Sequence, residues 1–271
     1  MIKRRVDENG VVADLFHDGS GHPKKAIVLL GGSEGGKTFS SFAMRSALND
    51  LVGQGCTLLS LAYFKTPGLP SVLEEIPLEY FEKAFAWLAT QPEVISKEIA
   101  LIGGSKGAEV ALLLGGMNPR IKAVVAMSPS SVVWQGIPKK GVDIVGAAKS
   151  SWTYQGKGLP FVPYGFSSWN LSTMLFGRLR KEHEKALQKT SQVEDVVIPV
   201  EKIQGAILLL SGKRDQMWPS TEMCEQILSR LAAKGFVHHY EHIAFNTGHN
   251  GYLMKKDCWR AIFGFLKAHY V

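Results

Sequence analysis

Cysteine is scarce and scattered in this chain: Cys56, Cys224 and Cys258 are its only three, with no Cys-x-x-Cys pair. That spacing excludes a disulfide framework and the usual zinc sites, and the odd count suits a reducing compartment. No apolar run reaches the roughly 20 residues needed to span a bilayer. Internal repeats and low-complexity tracts are missing, as is any Lys/Arg-rich run interleaved with aromatics that would offer a nucleic-acid surface. Neither G-x-G-x-x-G nor G-x-x-x-x-G-K-[ST] is matched in register, which argues against a phosphate-cradling loop. The basic start Met1-Ile2-Lys3-Arg4-Arg5 leads into Val6-Asp7-Glu8-Asn9-Gly10, where a signal peptide would carry its apolar core. A cytoplasmic protein is the expectation.

What is present fits one domain spanning residues 1–271. The 45% apolar and 20% charged content is that of a globular chain long enough to bury a sizeable core. The net charge of +7 leans toward anionic partners, though solubility alone accounts for it. Asn9-Gly10 predicts a hairpin turn within the first 18 residues. Continuous apolar runs at 26–30, 57–62, 99–102, 123–127 and 206–210 read as strands buried on both faces, and 239–245 as the last strand. Helical sequence falls between them: 39–51, a segment opened by Pro77, 106–114, 221–233 and 258–269. Such alternation predicts a mainly parallel sheet with helices on both faces.

Residues 130–200 break this rhythm. The stretch between two predicted strands is far longer than a βα connection needs, and it is rich in aromatics rather than in disorder-promoting residues. It is expected to be an inserted cap, carrying an amphipathic helix over about 172–189. Trp134, Trp152, Tyr154, Phe166 and Trp169, together with Trp218, are the candidate substrate-pocket residues.

Gly103-Gly104-Ser105-Lys106-Gly107 fits G-x-S-x-G, directly after one predicted strand and before a predicted helix. That setting matters more than the pattern. A tight strand-to-helix turn exposes a serine hydroxyl, which becomes a nucleophile once a base, itself oriented by a carboxylate, takes its proton. This predicts the α/β-hydrolase fold, in which the order is serine, acid, histidine. Asp215 stands just past the strand at 206–210, where a parallel sheet presents loops at its carboxyl edge; Asp143, Asp195 and Asp257 have no such strand before them. His249, between Gly248 and Gly251 after the last strand, is the candidate base. His238, His239 and His242 belong to that strand or its approach and lack the helical spacing of a zinc site; His183 and His269 are expected at the surface. Oxyanion donors are expected from the backbone N–H of Lys106 and from Ser33 or Glu34 in the loop Gly31–Gly36. No metal or cofactor is called for.

Several segments together resemble the C-terminal catalytic domain of the acyl-CoA thioesterase and bile acid-CoA:amino acid N-acyltransferase family, within the dienelactone-hydrolase-like branch. They are the 31–36 loop, Leu61-Ala62-Tyr63-Phe64, Pro77-Leu78-Glu79-Tyr80-Phe81, Leu101 to Glu109 across the elbow, Ile198 to Gly205, and Asp215-Gln216-Met217-Trp218-Pro219-Ser220. The resemblance implies the same nucleophile, acid and base. In the transferase members the elbow carries Cys, so Ser105 implies hydrolysis of an acyl ester or acyl-CoA over transfer to an amine. The phosphates of a CoA leaving group would suit a basic chain, with Lys37 and Lys106 expected near the mouth.

Overall fold

Strands that are apolar at every position must bury both faces, and here they do so in a single sheet. The computed structural model describes residues 1–137, 148–164, 179–190 and 194–271. In chain order these form β1 (Ile2–Glu8), β2 (Val11–His17), β3 (Lys24–Leu30), α1 (Arg45–Gly53), β4 (Cys56–Leu61), β5 (Ile76–Pro77), α2 (Leu78–Leu88), β6 (Val94–Gly104), α3 (Lys106–Met117) and β7 (Ile121–Met127). There follow β8 (Trp152–Tyr154), β9 (Lys157–Gly158), α4 (Arg180–Thr190), β10 (Ala206–Gly212), α5 (Ser220–Ala233), β11 (Tyr240–Phe245) and α6 (Lys256–His269).

The main sheet has the order β1-β2-β4-β3-β6-β7-β10-β11. From β4 to β11 neighbouring strands are parallel, and the β1–β2 hairpin joins one edge antiparallel. Its turn is the expected Asn9-Gly10, both residues at positive φ (51° and 68°). Alternation along β3 shows why the run is apolar throughout. Ala26, Val28 and Leu30 enter the core packed by α2, α3 and α5, whereas Ile27 and Leu29 enter the core packed by α1 and α6. Burying a side chain such as Phe81, wholly enclosed in the first of these cores, stabilises the fold by roughly 1.5–3 kcal/mol.

Two expectations change in detail. The predicted helix at 39–51 is two short 3₁₀ turns followed by α1, because Ser41 is extended (φ −67°, ψ 156°) and breaks the run. Past β7, the segment that departs from the alternating pattern returns to the body at defined places. β8 pairs parallel with β5, at the start of α2, and a third apolar cluster joins Val132, Trp134 and Val162 to Ala186 and Leu187 of α4 and to Trp218. Residues 172–178 of the predicted helix at 172–189 lie outside the described residues; α4 covers the remainder. Among the described residues no helix is long and apolar enough to cross a membrane.

Candidate active site

All the candidate chemistry stands at the carboxyl edge of the parallel strands, where open α/β sheets present their ligand sites. Ser105 separates β6 from α3 and has φ 54° and ψ −116°, a conformation that L-residues with a Cβ avoid. Its N–H donates to the Met127 carbonyl at 2.8 Å, and its own carbonyl accepts the first α3 hydrogen bonds, from Ala108 at 2.9 Å and Glu109 at 3.1 Å. The turn requires backbones in contact: a Cβ on Gly107 would stand 2.1 Å from the Leu30 carbonyl oxygen.

Asp215 follows β10 and His249 follows β11, and the two loops close on each other across Gly212, where a Cβ would meet the Gly248 carbonyl oxygen at 2.4 Å. The result is a chain of three side chains. His249 Nε2 lies 3.0 Å from Ser105 Oγ, and His249 Nδ1 lies 2.7 Å from Asp215 Oδ2. Asp215 is fully buried. Its Oδ1 accepts the N–H groups of Met217 (2.8 Å) and Trp218 (3.3 Å), and its Oδ2 also accepts the Ser220 hydroxyl at 2.7 Å. So many donors fix the direction in which the carboxylate points. The His249 loop is pinned from behind: Ser128 Oγ donates to the His249 carbonyl at 2.7 Å and lies 2.7 Å from the Tyr252 hydroxyl.

A cavity of about 70 Å³ opens beside Ser105, lined by Ser33, Lys106, Ile137, Tyr164, Leu179, His183, Met217 and Trp218. In the loop after β3, the N–H groups of Gly35 and Gly36 donate to the Gly32 and Phe64 carbonyls, and that of Gly32 to the Glu34 carboxylate at 3.0 Å. Ser33 lines the cavity and Glu34 does not, so of the two Ser33 is the candidate to offer its N–H to an oxyanion, with Lys106 at the start of α3 lining the same cavity.

The pocket differs from the sequence expectation. Trp218 lines the cavity. Trp134 stands behind it, its ring stacked on Trp218 and on Tyr164 at centroid distances of 6.5 and 5.8 Å. Trp152 does not line the cavity: it is buried between Tyr63 and Phe81, where its indole N–H donates to Glu109 at 2.8 Å. A buried N–H needs an acceptor, and that carboxylate draws the ring inward. Tyr154 is half-buried against the same core and is likewise no wall of the cavity. Phe166 and Trp169 lie outside the described residues. His183, expected at the surface, is buried against Trp134, Tyr164 and Trp218; burial pulls its pKa down to about 4, which keeps the imidazole neutral. The sequence signal was available, since His183, Ala186 and Leu187 share one face of α4.

The two lysines expected to meet phosphates are otherwise engaged. Lys106 is buried and paired with Glu109, and Lys37 pairs at 2.6 Å with the buried Asp14. Lysine beside a buried carboxylate finds its partner there, and exposed phosphate-binding capacity cannot be read from composition. Among the described residues, no group of three His, Cys, Asp or Glu side chains is placed to hold a metal ion.

A mostly parallel sheet, a strained serine between strand and helix, and Asp and His on later loops define an α/β-hydrolase fold. Solved structures share it: the Pyrococcus furiosus esterase Pf2001 aligns with a TM-score of 0.61 at 17% identity, covering 100% of this chain and 92% of that one. A putative dienelactone hydrolase from Klebsiella pneumoniae aligns with a TM-score of 0.60 at 12% identity, covering 98% and 97%. Within this class the chain belongs to the BAAT / acyl-CoA thioester hydrolase C-terminal family, whose model matches residues 76–253. It is 30% identical over 236 residues to acyl-coenzyme A thioesterase 1 of Mus musculus, covering 85% of this chain and 49% of that protein. It is 27% identical over 235 residues to acyl-coenzyme A amino acid N-acyltransferase 1 of the same species, covering 86% and 50%. The chain thus spans about half the length of the curated relatives it matches.

Proposed function

We propose that the protein hydrolyses acyl thioesters or carboxylic esters through an acyl-serine intermediate, with Ser105, His249 and Asp215 as catalytic triad. The observation that carries this is His249 bridging the other two, 3.0 Å from Ser105 Oγ and 2.7 Å from Asp215 Oδ2. His249 Nε2 takes the Ser105 proton as Oγ bonds to the acyl carbon. The carbonyl oxygen becomes an oxyanion, received by the N–H groups of Lys106 and Ser33. Collapse of the tetrahedral adduct breaks the bond to sulfur or oxygen, and the imidazolium returns its proton to that leaving group. Water, deprotonated by His249, then releases the acid by the same steps in reverse. Segment 130–200 serves as the cap, since Tyr164 and His183 within it wall the cavity at Ser105.

Relatives acting as thioesterases favour an acyl-CoA substrate, and a serine nucleophile favours water over an amine as acceptor. A fluorophosphonate is expected to label the folded protein and to leave Ser105→Ala unlabelled. Labelling that is equal in both would sink the mechanism. Product analysis with acyl-CoA in the presence of an amino acid separates hydrolysis from N-acyl transfer: free acid is the expected product, and an N-acyl amino acid as main product would reverse that assignment.

A further inference from the structure

The carboxyl end of β7 reaches the nucleophile, the base and the strand that leads to the acid. Met127, its last residue, accepts the Ser105 N–H on its carbonyl at 2.8 Å. Ser128, the next residue, donates its N–H to the Leu210 carbonyl of β10 at 2.7 Å, and Asp215 follows that strand. The Ser128 hydroxyl donates to the His249 carbonyl, also at 2.7 Å. Two consecutive residues thus tie the backbone of Ser105 to that of His249, whose side chains must meet at 3.0 Å.

The direction of each proton follows from the groups present. A carbonyl oxygen only accepts, so the single Ser128 hydroxyl proton is committed to His249. Tyr252, whose hydroxyl lies 2.7 Å from Ser128 Oγ, must then donate in that bond. Both side chains are 0% exposed. Burial pushes the Tyr252 phenol well above its ordinary range, so the donor keeps its proton. Its ring stacks on Phe245, the last residue of β11, at a centroid distance of 5.5 Å.

The backbone of Ser128 adds a second observation. Its φ is 46°, a conformation that glycine adopts freely and a residue with a Cβ only at a cost. Glycine at 128 would relieve that strain but would leave the His249 carbonyl and the Tyr252 hydroxyl without this partner. Strain at a residue whose hydroxyl holds the base in place points to positioning rather than to packing.

We infer that Ser128 is a positioning residue that sets the separation of Ser105 and His249, with Tyr252 as the donor that orients its hydroxyl. The inference rests on the hydrolase reading and extends it to two residues that touch no reacting atom.

Two substitutions at one position test it. Ser128→Gly and Ser128→Ala remove the same hydroxyl, but only glycine relieves the positive φ. Ser128→Gly is therefore expected to unfold at a higher temperature than Ser128→Ala. Both are nevertheless expected to lose on the order of 10- to 100-fold in kcat on p-nitrophenyl butanoate, with KM little changed, and to be labelled correspondingly more slowly by a fluorophosphonate. Activity that follows stability instead, with Ser128→Gly at wild-type rates, overturns the inference and leaves the hydrolase reading intact. Tyr252→Phe keeps the ring and removes the donor; it should slow the same two rates by a smaller factor. If neither Ser128 variant folds, Tyr252→Phe decides alone, and wild-type rates there overturn the inference. A folded wild type that is not labelled and cleaves neither the ester nor an acyl-CoA would bring down the hydrolase reading, and this assignment with it.

Discussion

The Lys106 ammonium lies 2.8 and 2.7 Å from the two carboxylate oxygens of Glu109, one turn further along α3, and both side chains are shut off from solvent. Burial pulls the lysine below its ordinary range and pushes the carboxyl up, each effect opposed by the partner's charge. Glu109 also accepts the Trp152 indole N–H and the Trp134 backbone N–H, so one carboxylate ties the elbow helix to both ends of the segment between β7 and β8. Glu109→Gln leaves the ammonium buried without a counter-ion and is expected to cost about 3–5 kcal/mol in urea unfolding. Combining it with Lys106→Met removes the stranded charge and should restore most of that loss, because the Gln oxygen still serves the indole. A double variant as unstable as the single one would show that the pair itself, rather than the orphaned charge, stabilises the fold.

The elbow tolerates no side chain at Gly107, where a Cβ would meet the Leu30 and Gly31 carbonyl oxygens at 2.1 and 2.4 Å. Both are backbone atoms and cannot swing away. Gly107→Ala is expected to lower stability by at least about 1–3 kcal/mol and to depress kcat beyond that, as α3 moves off the sheet carrying the Lys106 N–H. Gly104→Ala is the control. Its Cβ finds only Met127 Cε at 3.8 Å, so its thermal midpoint should stay near that of the wild type.

Much of this was legible in the sequence, for a physical reason. A strand buried on both faces has to be apolar at every position, and 26–30 or 206–210 can hardly be anything else. The turn at Ser105 needs small residues and a serine between strand and helix, and Asp215 and His249 had to follow later strands to reach the same edge. What escaped were relations between side chains that only folding brings together. His183 looks like a surface residue of a charged helix until Trp134 and Trp218 close over it. Trp152 looks like a cap aromatic until Glu109, more than forty residues earlier, claims its N–H. Ser128 and Ser220, which brace His249 and Asp215, have no pattern of their own in the chain.

His183 gives the fold an acid-sensitive element. Its folded pKa of about 4 lies below the ordinary 6.5, with burial the leading cause. Between those values the unfolded chain binds the proton that the folded one refuses, so stability declines as pH falls through this window and is fully present above it. The slope is at most about 1.4 kcal/mol per pH unit. Comparing urea unfolding at about pH 7 and about pH 5, His183→Gln should lose about 2 kcal/mol less than the wild type. An identical loss in both proteins would remove His183 from the acid response.

Asp215 and Ser220 separate orientation from support. Asp215 Oδ2 accepts from both His249 Nδ1 and the Ser220 hydroxyl, each at 2.7 Å. In Asp215→Asn the amide can turn its NH₂ toward His249, which then presents a protonated Nε2 to Ser105 and cannot take its proton. A loss of about 10⁴ in kcat is expected with KM little changed and folding preserved. Ser220→Ala removes only one of four donors to the carboxylate and leaves its contact with His249. A loss of roughly 10-fold is expected, in line with about 1.5 kcal/mol for one hydrogen bond to a charged group. Steady-state kinetics on one acyl-CoA for the three proteins gives both ratios. If Asp215→Asn lost no more than Ser220→Ala, the carboxylate would be a loop anchor, and the base would owe its orientation to the Ser128–Tyr252 brace alone.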